Sequence, residues 1–580
     1  ESIAIVKENP YRLADDIWGI GFKTADSIAQ KMGIDKGKFV RLRSGIFYTL
    51  NKLAEAGHCY TTREQLTGRA KELLEVEEPE LEITLDEMIR TNDVIRDEAE
   101  DREAIYLPPY YFSESGCAKR LLRLMSCGKK KSEDTEEILK KVAASSEITY
   151  DEIQWQAVKT AVSSKVMVLT GGPGTGKTTT TLGIISAYKQ AGCQIILAAP
   201  TGRAAKRMSE TTGEEAKTLH RLLELMGGTS DTDSFSVDLL VTPIDADIII
   251  VDEASMIDMF LMNYLLKGIY NGTKLVLVGD VDQLQSVGPG SVLKDIIESE
   301  RIETIELNQI FRQAAKSKII VNAHRVNNGE GFISGNVKET TVDEENVELL
   351  DDFFLINEPN QEKAQSTIVS LCKGRLQKFG NYDFFSNIQV ITPTKKGKLG
   401  TKELNTLLQS EINPMEADKE ERTFGDVKYR EQDRVMQVKN NYNILWEKDN
   451  DREFKKELGN GVFNGELGVI EKINKEDKTI RVKFDDGKVA TYENTDLDQL
   501  ELAYAITVHK SQGSEFDVVL FVASQTTPLL LTRNLLYTAI TRAKKLLIVI
   551  GPQSVVNYMI TNNTTKKRNT GLKYKLRNIK

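Results

Sequence analysis

Short, uninterrupted apolar runs recur from residue 166 onward: VMVLT, QIILAAP, DIIIVDE, KLVLVGD and TIEL, with helix-like segments between them. Runs of Val, Ile and Leu without polar alternation belong to parallel strands covered on both faces. A second series, IQVITPT, DVVLFVA and LLIVIG, follows later in the chain. The pattern predicts an α/β multidomain protein with two parallel-sheet domains. Residues 426–497 differ: DRVMQV, GELGVIEKI, TIRVKF and KVATYE alternate apolar and polar positions, with Asp486-Gly487 placed for a tight turn. This predicts a small antiparallel barrel inserted in the second sheet domain.

The first 145 residues read as helical modules with acidic stretches. One of these, RDEAEDREAIYLPPYYF, ends in an alternating aromatic run typical of a strand or wing. Near the start, NPYRLADDIWGIGFKTADSIAQKMGI places the turn Gly19-Ile20-Gly21 between two segments of helical spacing. The last twenty residues carry Lys and Arg but no Asp or Glu. That predicts a solvated basic tail, with a nucleic-acid contact as the alternative.

Composition changes this picture little. With 580 residues the chain has room for several cores, and its net charge of −9 argues against a passive nucleic-acid coat. Net charge does not exclude a local basic groove, because screening confines electrostatics to about one Debye length. No apolar run is long enough to span a membrane and no signal peptide is evident, so a cytoplasmic protein is expected. Cys59, Cys117, Cys127, Cys193 and Cys372 form no CxxC pair and read as reduced thiols. The first residue is Glu1 rather than methionine, which predicts further chain upstream.

The candidate chemistry begins at VMVLTGGPGTGKTTTTLGII, a strand, a glycine loop and a helix. Gly171-x4-Gly176-Lys177-Thr178 is the P-loop spacing in its required context. Its backbone amides would surround a β-phosphate, Lys177 would neutralise β/γ oxygens, and Thr178 would complete a Mg²⁺ shell. The strand DIIIVDE delivers Asp252 for the metal and Glu253 to polarise the attacking water. Gln283, at a third strand end, is placed to sense the γ-phosphate, and Arg312 and Arg542 are candidates for charge on the transferring group.

Taken in order, these stretches resemble superfamily 1 helicases of the RecD-like branch, from about residue 146 to 580. YDEIQWQAV, TGGPGTGKTTT, AAPTGRAAKRM, IIIVDEASM, LVGDVDQLQSVGPG, LNQIFRQ, YAITVHKSQGSEFD and LLYTAITRAK stand in the family's motif order. The resemblance implies a 5′→3′ ATP-dependent DNA helicase with ATP and Mg²⁺ as cofactors. Gln154 would read adenine. Gly171, Gly172, Gly174, Thr175, Gly176, Lys177, Thr178 and Thr179 would cradle phosphates, with Gly513 near the γ-phosphate and Glu515 on the ribose. Thr201, Arg203, Thr507 and His509 would contact single-stranded DNA. The implied map is a helix-hairpin-helix at 1–40, whose Gly19, Gly21 and Lys23 would hold a DNA phosphate, and a winged-helix-like region at 41–145. A first RecA-like domain follows at 146–325, with a strand-splitting pin at about 224–243. The second RecA-like domain spans 326–425 and 498–555, around an SH3-like barrel at 426–497, and a basic tail runs from 556 to 580. The N-terminal modules resemble the long form of the family that works without RecBC, and no nuclease motif is evident. The expected partners are single-stranded and tailed duplex DNA, the expected state is a monomer, and repair or recombination is the family-level role. A nucleotide-gated DNA clamp and an RNA helicase of the same superfamily remain as alternatives. No contact with a single-strand-binding protein is assigned.

Overall fold

A computed structural model describes residues 9–13, 21–33, 35, 37–100, 102–126, 137–140, 150–225, 241–335, 339–342, 345–450, 455–564 and 567–579. The glycine turn at Gly19 and residues 226–240, where the pin was expected, lie outside them.

The N-terminal module gathers the helices Phe22–Lys31, Phe39–Glu55, Arg63–Leu74 and Glu78–Arg90 around one core of Phe22, Leu42, Ile46, Leu50, Leu66, Leu81 and Leu85. Leu42, Ile46, Leu50 and Leu53 share one face of the second helix, which buries that stripe. Arg41 crosses the core at 2 % exposure. Its guanidinium holds both Asp26 oxygens, at 2.8 and 3.0 Å, and the Leu74 carbonyl at 3.0 Å. A three-stranded antiparallel sheet, in the order Tyr60–Thr62, Arg102–Tyr106, Ile95–Ala99, completes the module. The aromatic run does not extend this sheet. Pro108 and Pro109 open the helix Pro108–Ser126, because proline's fixed φ suits a first helical turn, where its missing N–H costs nothing. That helix lies along Met259–Gly268, with the Tyr110 and Phe260 rings 4.9 Å apart and Arg120 donating to Asn263 at 3.0 Å.

Six parallel strands form the first sheet, ordered Ala216–Thr218, Ile195–Ala199, Ile248–Val251, Lys274–Gly279, Val166–Gly171, Glu303–Leu307. Five form the second, ordered Phe353–Asn357, Ala543–Gly551, Phe516–Val522, Ile388–Thr392, Ala505–Thr507. Between Ile388–Thr392 and Ala505–Thr507 in sequence lies a seven-stranded antiparallel sheet from Arg434–Gln437 to Leu500–Leu502, packed round Val435, Ile470, Val482, Phe484 and Tyr492. The Asp486-Gly487 turn forms there, with Gly487 donating to Phe484 O at 2.9 Å.

The solvated tail expected at 556–580 is overturned. The helix Gln553–Thr561 packs Val555, Val556 and Met559 on the second sheet. The chain then crosses to the N-terminal module, where the helix Leu572–Asn578 buries Leu572 and Leu576 completely. Its basic residues are matched rather than solvated. Lys573 meets Glu298 at 2.8 Å, Lys575 pairs with Asp97 and lies over the Tyr111 ring, and Arg577 caps Glu298 O and Ser299 O. A guanidinium at a helix C-terminus satisfies carbonyls that have no helical partner. Among the described residues no helix is long and apolar enough to cross a membrane.

Candidate nucleotide site and strand groove

The strand Val166–Gly171 runs into the loop, and the helix Lys177–Gln190 starts at Gly176. Gly176 has φ +85°, and a Cβ there would collide with Gln154 Nε2, so only glycine fits this point twice over. Gln154 is fixed against it by a reciprocal cap: its N–H donates to Asp151 Oδ1 at 2.7 Å, and its Oε1 accepts from Asp151 N at 3.1 Å. Lys177 Nζ donates to the Gly171 and Gly172 carbonyls at 2.5 and 2.8 Å, and Thr175 Oγ1 donates to Gly172 O at 2.9 Å. Thr178 is exposed and Thr179 half-buried on the first helical turn. Beside the loop, Phe311 N donates to Gly174 O at 3.3 Å, and the His324 ring nitrogen lies 2.9 Å from Pro173 O. Arg312 opens the short helix Arg312–Ala315 next to this contact; its side chain is outside the described residues.

The strand Ile248–Val251 delivers Asp252 and Glu253 to the same cleft. Arg207, which sequence reasoning passed over, organises them. Its Nη2 lies 2.9 Å from Glu253 Oε1 and 3.6 Å from Asp252 Oδ2, and its Nη1 donates to Glu515 at 2.5 Å. Burial pushes both carboxyls of the pair upward. For Asp252 the neighbouring Glu253 adds to burial, and its carboxyl sits above the usual range. For Glu253 the cations Arg207, Arg542 and Lys177 outweigh burial and hold it below.

From the second sheet comes Arg542, 2 % exposed. Its Nη2 donates to Gln283 Oε1 at 2.9 Å, and Nε and Nη1 donate to the Thr538 and Ser514 carbonyls. Gln283 Nε2 reaches Asp280 Oδ2 at 3.3 Å, and Tyr537 OH donates to the same oxygen at 2.8 Å. Asp280 and Tyr537 thus join the two sheets and were not singled out from sequence. Arg207 had a legible signal, since it follows Arg203 by four residues on the helix Gly202–Thr212 and so shares its face.

A groove of about 250 Å³ runs beside this cleft, lined by Thr201, His220, Ser286, Val287, Phe463 and Asn464 among others. It therefore borders the first sheet, the turn after Gln283 and the barrel. Thr201 caps the helix Gly202–Thr212 through Ala204 N, and a Cβ on Gly513 would lie 2.7 Å from Thr201 Oγ1. Two of the candidates hold partners within the chain. Arg203 donates to Ser514 Oγ at 2.9 Å and pairs with Asp485 of the barrel at 3.3 Å. Glu515 is held by Arg207 and lies 3.5 Å from Lys544. Thr507 is buried at its strand end, His509 is exposed beside it, and neither lines this groove. Gly21 and Lys23 are exposed at a helix start in the N-terminal module, and they do not line it either.

Comparison with known proteins agrees with this arrangement. Family models match as an AAA domain over residues 149–343, an ATP-dependent RecD2 DNA helicase HHH domain over 1–60, an ATP-dependent RecD-like DNA helicase SH3 domain over 404–484, and a UvrD-like helicase C-terminal domain over 502–550. The ATP-dependent RecD2 DNA helicase of Deinococcus radiodurans is 31 % identical over 572 residues, covering 97 % of this chain and 72 % of the relative. The RecBCD enzyme subunit RecD of Mycolicibacterium smegmatis is 30 % identical over 455 residues, covering 73 % and 75 %. Among solved structures, Bacteroides Pif1 bound to ssDNA overlaps 70 % of this chain and 92 % of its own, at 19 % identity and a TM-score of 0.39, which is too distant to carry weight. With two parallel sheets, a barrel of the matching family and a relative similar over 97 % of this chain, the protein belongs to the RecD2 family of ATP-dependent DNA helicases.

Proposed function

We propose that this helicase moves 5′→3′ along single-stranded DNA held in the groove beside Thr201, and that it serves DNA repair or recombination as a cytoplasmic, nucleoid-associated monomer. The observation that carries the reading is the meeting of Glu253 from the first sheet with Arg542 and Gln283 at one buried cleft, directly beside that groove. ATP would lie against the loop Gly171–Thr179 with Gln154 at its base and Gly513 near the γ-phosphate, and Lys177 would leave its two carbonyl partners for phosphate oxygens. Thr178 and Asp252 offer two hard oxygens, which suits Mg²⁺, a cation that takes few protein ligands alongside phosphate. The metal would supply charge neutralisation on the phosphate oxygens. Glu253, kept ionised by its cations, would orient the attacking water, and Arg542, with Arg312, would stabilise charge on the transferring group. Gln283 bonds to Arg542 and stands on the segment that continues into the groove, so it would report nucleotide state to the strand.

Partial duplexes carrying a 5′ or a 3′ single-stranded tail test the reading. Unwinding of the 5′-tailed substrate is expected; unwinding of the 3′-tailed substrate alone rejects the direction.

A further inference from the structure

The segment after the second sheet carries an arginine that neither the nucleotide cleft nor the groove explains. Arg568 reaches into the turn Ser286–Gly290. Its Nη1 donates to Gly290 O at 2.6 Å, Gly288 O at 2.8 Å and Ser286 Oγ at 3.2 Å, while Nη2 donates to Ser286 O at 2.6 Å. The guanidinium therefore gathers three carbonyls and a hydroxyl of one short turn, which a planar fan of donors can do and a lysine cannot. We infer that Arg568 is a positioning residue for strand binding: it holds the Ser286–Gly290 turn in the shape that presents Val287 to the DNA groove.

Three further observations support this. Val287, at the tip of the clamped turn, is 76 % exposed and lines the groove with Thr201 and Phe463, so an apolar side chain stands outward where nucleotides would pass. The approach is built for Arg568. Gly57, in the turn after the helix Phe39–Glu55, has φ +93° and its missing Cβ leaves the space that the guanidinium occupies, while its carbonyl accepts from Gly290 N at 3.0 Å. The next residue is pinned too: Asn569 N donates to His58 Nδ1 at 3.0 Å, and Asn569 O accepts from Cys59 N at 2.8 Å. At its other end the same stretch carries Asp280 and Gln283, bonded to Tyr537 and Arg542. One short segment thus touches the nucleotide cleft at its start and the groove at its end, and Arg568 fixes the groove end. Without it the Ser286 and Gly290 carbonyls lose this donor, Gly288 O keeps only the Ser286 hydroxyl, and the turn relaxes toward water.

The inference rests on the groove being the strand path, so the test separates the two. In Arg568→Ala the DNA concentration giving half-maximal ATPase stimulation is expected to rise about tenfold, while the maximal DNA-stimulated rate falls less than twofold. Arg568→Lys, with one compact donor group, should recover only part of the shift. Arg577→Ala cuts the same segment at its far contact, the Glu298 and Ser299 carbonyls, and is expected to leave the half-stimulating concentration unchanged. An Arg568→Ala protein with unaltered half-stimulating concentration overturns the inference. So does an equal shift in Arg577→Ala, which would make the effect a general loosening of the segment. Thr201→Ala and Phe463→Ala examine the groove itself. If neither weakens DNA stimulation, the strand path is wrong; if both do and Arg568→Ala does not, only the positioning role falls.

Discussion

At the residue scale, Arg207 decides how the acidic end of the cleft behaves. Two buried carboxyls side by side cannot both ionise cheaply, and burial alone would protonate one of them. Arg207 lies within 3.6 Å of both and also holds Glu515, so one guanidinium steadies three acids. Removing it leaves buried negative charge without its partner. Arg207→Ala is therefore expected to lower the DNA-stimulated ATPase rate at least tenfold, with Arg207→Lys intermediate. A steady-state rate within twofold of the parent enzyme would show that the acids need no such partner. Its spacing from Arg203 was legible in sequence, but its role was not, because AAPTGRAAKRM shows two arginines and no acid; the acids arrive from a strand and a turn far along the chain.

At the element scale, what could be read beforehand and what could not divide by the range of the interactions. Strands such as Ile248–Val251 were legible because both faces are covered, which forces an unbroken apolar run. The barrel was legible from its alternation and its Asp-Gly turn. The helix Leu572–Asn578 was not: only Leu572 and Leu576 mark its buried face, and its three cations find their partners in residues hundreds of positions earlier. The helix Pro108–Ser126 misled in a different way, since aromatic residues favour strands until a preceding proline pair starts a helical turn. Helix packing in the N-terminal module also makes a pH prediction. Burial would raise the Asp26 carboxyl, but hydrogen bonds from Arg41, Tyr11 and Gln30 hold it below its ordinary value. A depressed folded pKa contributes stability above the ordinary carboxylate range and loses it as pH falls through that range and below. The module's thermal transition should therefore drop more steeply below about pH 4 in the parent than in Asp26→Asn. At neutral pH, Asp26→Asn should cost about 3–5 kcal/mol, because Arg41 stays buried without its charge partner. Superimposable pH profiles for the two proteins would rule out the Arg41–Asp26 pair as their source.

At the scale of the whole molecule, the two sheets are joined by more than the cleft. The second sheet continues through the helix Gln553–Thr561 into the segment that packs on the N-terminal module, and that module lies on the first sheet through the helix Pro108–Ser126. The bond from Asn569 N to His58 spans 511 positions of sequence. Closing so long a loop adds little entropy cost per doubling of length, about 0.6 kcal/mol, but such contacts form late because every nearer contact is faster. Pulse-labelled hydrogen exchange during refolding should find the Cys59 and Gly571 amides protected after those of the strand Val166–Gly171; simultaneous protection would contradict this order. The same geometry bears on synthesis in the cell. Ribosomes release the N-terminal module hundreds of residues before its partner segment, so the growing polypeptide carries an unfinished strand path until residues 567–579 emerge. The enzyme would then be born without full grip on DNA and acquire it only once that segment has left the ribosome.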